Sequence, residues 1–205
     1  MEGKKTILSL FDLSGNWSEP YRRAGYNVIQ QDLKLGHDIF SDTLPRFICD
    51  AVDGMKVHGI LAAVPCTDFA GSGARWWAEK QNKPANYDGP VQFDSQIEMS
   101  IGMALATLVL VEMLQPAWWC IENPVGRISK LVPEIGRPRM VFHPWHFGDP
   151  YTKRTCLYGQ FNTGLPKSPV LPLLGSLTHR MWSTDKEQRS VTPKGFSQAF
   201  FLANP

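Results

Sequence analysis

Cys66 is the residue of this chain best placed to do chemistry. It follows Pro65 at the end of the apolar run Gly59-Ile60-Leu61-Ala62-Ala63-Val64, which has the length of a buried parallel strand. In open α/β sheets, reactive groups collect in the turns that leave the carboxyl ends of such strands. A thiol in that turn reads as a nucleophile, whereas Cys49, Cys120 and Cys156 read as small buried hydrophobes. A second apolar strand, Ala117-Trp118-Trp119-Cys120-Ile121, ends in Glu122-Asn123-Pro124 and so delivers a carboxyl group at a strand end. A more polar strand, Tyr26-Asn27-Val28-Ile29-Gln30-Gln31, closes on Asp32, an acid suited to ribose hydroxyls at that position.

The elements that must hold these groups are legible from periodicity. Thr6-Ile7-Leu8-Ser9-Leu10-Phe11 reads as the first strand, followed by the turn Asp12-Leu13-Ser14-Gly15-Asn16. A helix runs over 18–24, with Pro20 in its first turn and Gly25 at its end. Residues 44–53 suggest a short helix, and 57–64 form the strand that leads to Cys66. The stretch 71–94 is rich in Gly, Asn, Pro and aromatic residues. It has no helical or strand period, which is the character of a lid or binding loop. Ser95-Gln96-Ile97-Glu98 is a capping box. It opens a helix whose apolar positions are 97, 101, 104, 105 and 108, and Pro116 stops that helix. Met140–His143 and Thr155–Tyr158 read as short strands, and Ser197–Leu202 as a final helix. Strands alternating with helices predict an α/β fold, a mostly parallel sheet with helices on both faces.

The 205 residues suit one domain, and 43% apolar with 20% charged residues is globular composition. Charge is divided along the chain. Residues 1–122 carry 10 Lys and Arg against 15 Asp and Glu, and residues 123–205 carry 11 against 4. The basic part reads either as a solvated face or as a phosphate track. Four dispersed cysteines without a CxxC pair, and an N-terminus leading straight into a strand, predict reduced thiols in a cytoplasmic protein. The longest apolar stretch, near 101–114, is interrupted by Thr107 and Glu112 and reads as too short to span a bilayer. His143-Pro144-Trp145-His146 matches no zinc signature, so no metal is expected there.

Taken in order, these turns resemble the cytosine-5 DNA methyltransferase family. Ser9-Leu10-Phe11 with Gly15 is similar to the family's first motif, and Asp32 stands where the family places the ribose-binding acid. Asp38-Ile39 resembles the motif that contacts adenine. Pro65-Cys66 with Phe69 resembles the nucleophile motif, Glu122-Asn123 the glutamate motif, and Thr152-Lys153-Arg154-Thr155 the basic motif. The resemblance covers roughly residues 5–158. It implies a Rossmann-like, class I S-adenosylmethionine-dependent fold, with a catalytic domain over 1–158 and a reduced C-terminal segment over 159–205. The chain departs from the family in three places. The first motif has Gly15 where several glycines are usual and Ser9 where an acid is, Cys156 replaces a second arginine, and no target-recognition domain fits between Tyr158 and Thr192-Pro193. Sequence selection is then minimal, supplied by a partner protein, or read by the 71–94 loop. A compact enzyme of a phage or mobile element fits this size.

The resemblance also implies roles. Cys66 attacks C6 of cytosine, Glu122 hydrogen-bonds N3 as a protonated acid in a desolvated site, and Arg154 holds the base carbonyl or a phosphate. S-adenosylmethionine is held by Phe11, Asp12, Ser14, Gly15, Asn16, Asp32, Asp38, Ile39 and Pro65. DNA is contacted by Phe69, Ser72, Arg75, Trp76, Trp77, Asn123 and Lys153, with the target base flipped out of the stack. Asn123 orients the loop bearing Glu122, and Arg75 with the two tryptophans forms a lid. The alternatives are the same chemistry on RNA or a free cytosine nucleotide, and an inactive relative that binds nucleic acid.

Overall fold

Thr6–Leu10 forms β1, and all five of its residues are buried, as a strand covered on both faces requires. The computed structural model describes residues 4–44, 46, 48, 56–176 and 190–205. The predicted helix over 44–53, and with it Cys49, falls largely outside the described residues. Helix α1 (Glu19–Arg23) leads to β2 (Asn27–Gln31). Strand β3 is Val57–Ala62, followed by a 3-10 turn over Gly71–Trp76 and helix α2 (Trp77–Gln81). Helix α3 (Gln96–Leu114), β4 (Trp118–Pro124) and α4 (Ile128–Leu131) come next. Strands β5 (Met140–Phe142) and β6 (Thr155–Gln160) and helix α5 (Lys194–Ala203) complete the order.

The strands form one sheet in the order β2-β1-β3-β4-β6-β5. The first four are parallel, with Leu10 beside Gln31 and Ala62, and Ala62 beside Ile121. Strand β6 runs antiparallel between β4 and β5, with Glu122 opposite Leu157 and Phe142 opposite Thr155. This is a Rossmann-like α/β arrangement, a mostly parallel sheet with helices on both faces, as predicted above. The register sets the carboxyl ends of β1 to β4, the end of β5 and the start of β6 along one edge. Every candidate strand-end group lies on it.

Alternation divides the core into two layers. Leu8, Ile60 and Ile121 face Ala104 and Leu110 of α3 and Ile128 of α4. Ile7, Leu61 and Cys120 face Trp17, Tyr21 of α1, and Phe196 and Phe200 of α5. Gly59 admits this second layer, because a Cβ there would collide with the Trp118 ring. The Tyr21 hydroxyl donates to the Asn204 carbonyl at 2.8 Å, fastening α5 to α1.

Three elements differ from expectation. The 71–94 stretch contains the Gly71–Trp76 turn and α2, because contacts distant in sequence fold a segment too short to show a period. The capping box of α3 is displaced. Ser95 Oγ accepts from the Glu98 N–H, but Glu98 returns its bond to the Asp94 N–H at 2.7 Å. Helix α3 is also 19 residues long, and by length and composition it could cross a membrane. Its Ala104, Thr107 and Leu110 are buried against the sheet, while Leu105, Val109 and Met113 are exposed. The inner and outer apolar stripes together carry the helix past the two polar interruptions at Thr107 and Glu112.

Candidate active site

Beyond β3 the chain folds tightly around Cys66. Its carbonyl accepts from the N–H groups of Phe69 and Ala70, at 3.0 and 2.9 Å. Asn123 Nδ2 donates to the Val64 carbonyl at 2.8 Å, so the end of β4 fastens the start of this loop. Asn123 therefore positions the Cys66 loop rather than the one bearing Glu122, its role as read from sequence. The two loops are bridged again by Gly71 N–H to Val125 O (2.8 Å) and Arg127 N–H to Phe69 O (2.9 Å). Gly126 is required at this crossing, since a Cβ would strike the Phe69 carbonyl. Phe69 itself is fully buried in the core. Its ring supports the loop and faces no solvent, which corrects its reading as a substrate contact.

Cys66, Cys120 and Cys156 carry thiols without disulfides, and of these Cys66 alone is not buried. Burial, reinforced by the charge of Glu122, pushes the Cys120 thiol well above its ordinary range. Burial also raises Cys156. Both are poor thiolates, consistent with their packing role.

Glu122 is nearly buried on β4, with Lys153 Nζ 3.7 Å from its Oε1. Arg154 is exposed, and its carbonyl accepts from the Val125 N–H, joining the basic turn to the clamp. Tyr151 completes this corner. Burial raises its phenol most, and the charges of Asp149 and Glu122 raise it further. The register brings Glu122 and the Cys66 loop together at the ends of adjacent parallel strands, with Lys153 and Arg154 arriving from β6.

The turn after β1 is built around Asp12, a buried carboxylate. Its Oδ2 accepts from Ser9 Oγ (2.8 Å), Ser18 Oγ (3.0 Å) and the Ser18 N–H, and its Oδ1 accepts from Ser14 Oγ (3.3 Å). Asp12 thus shapes the turn from inside. Phe11 adopts a left-handed φ of 56°, an unusual conformation for a bulky residue. Gly15 has φ of 67°, and a Cβ there would sit 3.1 Å from Gln30 Oε1. The Asn16 side chain donates to Thr192 O at 3.4 Å. At the end of β2, Asp32 accepts from the Lys34 N–H at 2.9 Å. Asp38 accepts from the Phe40 N–H (2.9 Å) and the Tyr87 hydroxyl (2.6 Å), and Ile39 is buried beside it. Tyr87, Phe40 and Phe93 form an aromatic cluster that folds the 82–94 segment onto this turn.

The two lid tryptophans face different surroundings. Trp76 is exposed under the Arg75 guanidinium, 5.0 Å from its ring centre, and Ser72 is exposed in the same turn. Trp77 turns inward, with the Arg127 guanidinium 4.3 Å over its ring. Arg127 Nε also donates to the Asp68 carbonyl at 2.9 Å. The fully buried Asp68 carboxylate accepts from Ser100 Oγ at 2.8 Å, and Lys80 Nζ lies 3.1 Å from its other oxygen. That second oxygen has the ion pair but no hydrogen bond, so the attraction to Lys80 is electrostatic. Sequence reasoning missed Asp68, Lys80, Ser100, Arg127, Gln30, Tyr87 and Tyr151. Only Asp68, two residues after Cys66, carried a local signal.

No protein-family model matches the chain, and no curated protein matches it. Solved structures do. A DNA modification methyltransferase encoded within an E. coli prophage aligns over 89% of this chain at 16% identity and a TM-score of 0.49. The Entamoeba histolytica methyltransferase EhMeth aligns over 83% at 13% identity and a TM-score of 0.42. The chain covers 56% and 57% of those two chains, respectively.

Proposed function

We propose that this chain transfers a methyl group from S-adenosylmethionine to C5 of cytosine in DNA. The observation that carries this reading is the convergence of the Cys66 loop and Glu122 on neighbouring strand ends, fastened by the Asn123–Val64 bond. Carbon 5 of cytosine is a weak nucleophile, so a thiolate must first activate the ring. Cys66 Sγ bonds to C6, and the electron pair of the C5=C6 bond shifts toward C5. Glu122 supports this as the carboxylic acid, donating a hydrogen bond to N3 as negative charge develops on the ring, with Lys153 beside it. When bound, the cofactor would supply an electrophilic methyl carbon to C5, its sulfonium sulfur keeping the bonding pair and leaving as a neutral thioether. A base then removes the C5 proton, and the returning electron pair expels the Cys66 thiolate. Arg154 orients the base carbonyl or an adjoining phosphate.

The β1 and β2 turns fit such a cofactor. Gly15 turns the backbone after β1 at a left-handed φ of 67°, where a side chain would press on Gln30, and Asp32 offers a carboxylate at the end of β2. Ser14, Asn16, Phe11, Asp38, Ile39 and Pro65 would complete the surround, with Asp12 holding the turn. Base flipping would bring cytosine to the edge, where exposed Trp76 and Arg75 lie beside the Cys66 loop.

The test is transfer of labelled methyl groups to duplex DNA, RNA and dCMP under identical conditions. Incorporation into DNA at C5, lost in Cys66→Ser, is the expected result. Incorporation into RNA or dCMP alone would replace the substrate, and incorporation by Cys66→Ser would discard the mechanism.

A further inference from the structure

The His143-Pro144-Trp145-His146 turn lies on the same edge as the candidate site, yet the chemistry above makes no use of it. Strand β5 ends at Phe142, opposite Thr155, so His143 emerges beside Arg154. Among the described residues, no group of three or more His, Cys, Asp or Glu is arranged to hold a metal. The turn instead gathers rings and cations. Trp145 stacks near His143, with ring centres 6.4 Å apart, and meets His146 edge-on at 4.2 Å. The segment after β6 is laid along this turn by Ser168 N–H to His146 O (3.0 Å) and Val170 N–H to Trp145 O (2.9 Å). This brings exposed Lys167 to the imidazole of His146.

The electrostatics favour an anion. Burial lowers His143 most, and the Arg154 charge lowers it further. Burial lowers His146 most, followed by His143 and Lys167. Both rings are therefore neutral at neutral pH, and the positive charge resides on Arg154 and Lys167. Among the described residues no carboxylate pairs with either cation. The cations thus continue outward from Lys153 beside Glu122, through Arg154 and the ring cluster, to Lys167.

We propose that this turn, with Arg154 and Lys167, is a backbone-binding track that leads one strand of duplex DNA away from the Cys66–Glu122 edge. The identity of the polymer rests on the methyltransferase reading. The cations neutralise phosphates, neutral His146 donates a hydrogen bond to a phosphate oxygen, and Trp145 gives the track a flat apolar wall. The track makes contacts that do not depend on base sequence.

The experiment measures binding of the full chain to a cytosine-containing duplex as a function of salt, near pH ~7.5 where histidine is mostly neutral. Lys167→Gln should weaken binding roughly fivefold and lower the slope of log K against log salt by about 0.9, one phosphate contact. His146→Gln should weaken binding while leaving the slope unchanged, because the ring it replaces is uncharged. Lys56→Gln, before β3 at the opposite edge, should match wild type in both. Wild-type affinity and slope in Lys167→Gln would overturn the track. Methyl incorporation by the wild-type protein is measured in parallel. Its absence would refute the methyltransferase reading, whereas the salt slopes decide the track on their own.

Discussion

Replacing Lys80 with Met tests how the Cys66 loop is held. Asp68 is fully buried two residues from the thiol, and two groups meet its carboxylate, Ser100 Oγ at 2.8 Å and Lys80 Nζ at 3.1 Å. Lys80 Nζ also donates to the Thr67 carbonyl at 2.5 Å. The substitution leaves an anion in the interior with one hydroxyl donor. Breaking a fully buried pair costs about 3–5 kcal/mol. The Lys80 side chain keeps 21% exposure, so water relaxes part of that charge, and we expect about 2–3 kcal/mol. For a domain of this size, the melting temperature should fall by roughly 4–12 °C. Urea unfolding gives the free energy, with an unchanged slope as the check on two-state behaviour. Adding Asp68→Asn should return stability to within about 1 kcal/mol of wild type, because no charge is then stranded. A loss below about 0.5 kcal/mol in Lys80→Met, the range of exposed pairs, would refute the buried-anion account.

Other perturbations probe the neighbouring elements. Glu122→Gln should reduce methyl transfer by about a hundredfold or more while cofactor affinity, by calorimetry, stays close to wild type; equal losses would make Glu122 structural. Gly126→Ala should destabilise the chain by about 1–3 kcal/mol, because the new methyl meets the Phe69 carbonyl; unchanged urea unfolding would contradict the clamp. His143 and His146 are held below the ordinary histidine value of 6.5 when folded. As pH falls through that value, the unfolded chain binds protons that the folded chain resists, so stability present at higher pH is lost. Replacing both with Gln should flatten the fall in melting temperature between about pH 7 and 5; an unaltered profile would show that other groups govern it.

The edge of the sheet was legible in sequence because buried parallel strands are short, apolar and bounded by turn residues. Cys66 and Glu122 were found that way, each a polar residue ending an apolar run, and Asp32 by its place after the second strand. The supports were not legible. Arg127 lies 59 residues from Asp68 in the chain, and Lys80 lies 12 away, so no local pattern joins them. Trp76 and Trp77 are adjacent and chemically alike, and only the Arg127 contact separates an inward ring from an outward one. Phe69 looked like a binding residue because it follows the nucleophile, although its burial makes it core. Asp12 looked like a cofactor contact, but three serines enclose its carboxylate.

The central claim is that Cys66 bonds covalently to a cytosine ring. Duplex DNA carrying 5-fluorocytosine tests it most directly, because fluorine at C5 cannot leave as a proton does and the thiol stays attached. Incubation with S-adenosylmethionine should give a protein–DNA adduct that survives denaturation, with the linked peptide containing residue 66 and Cys66→Ser giving none. An adduct mapped to another residue, or none from folded protein shown to bind both cofactor and DNA, would contradict the account.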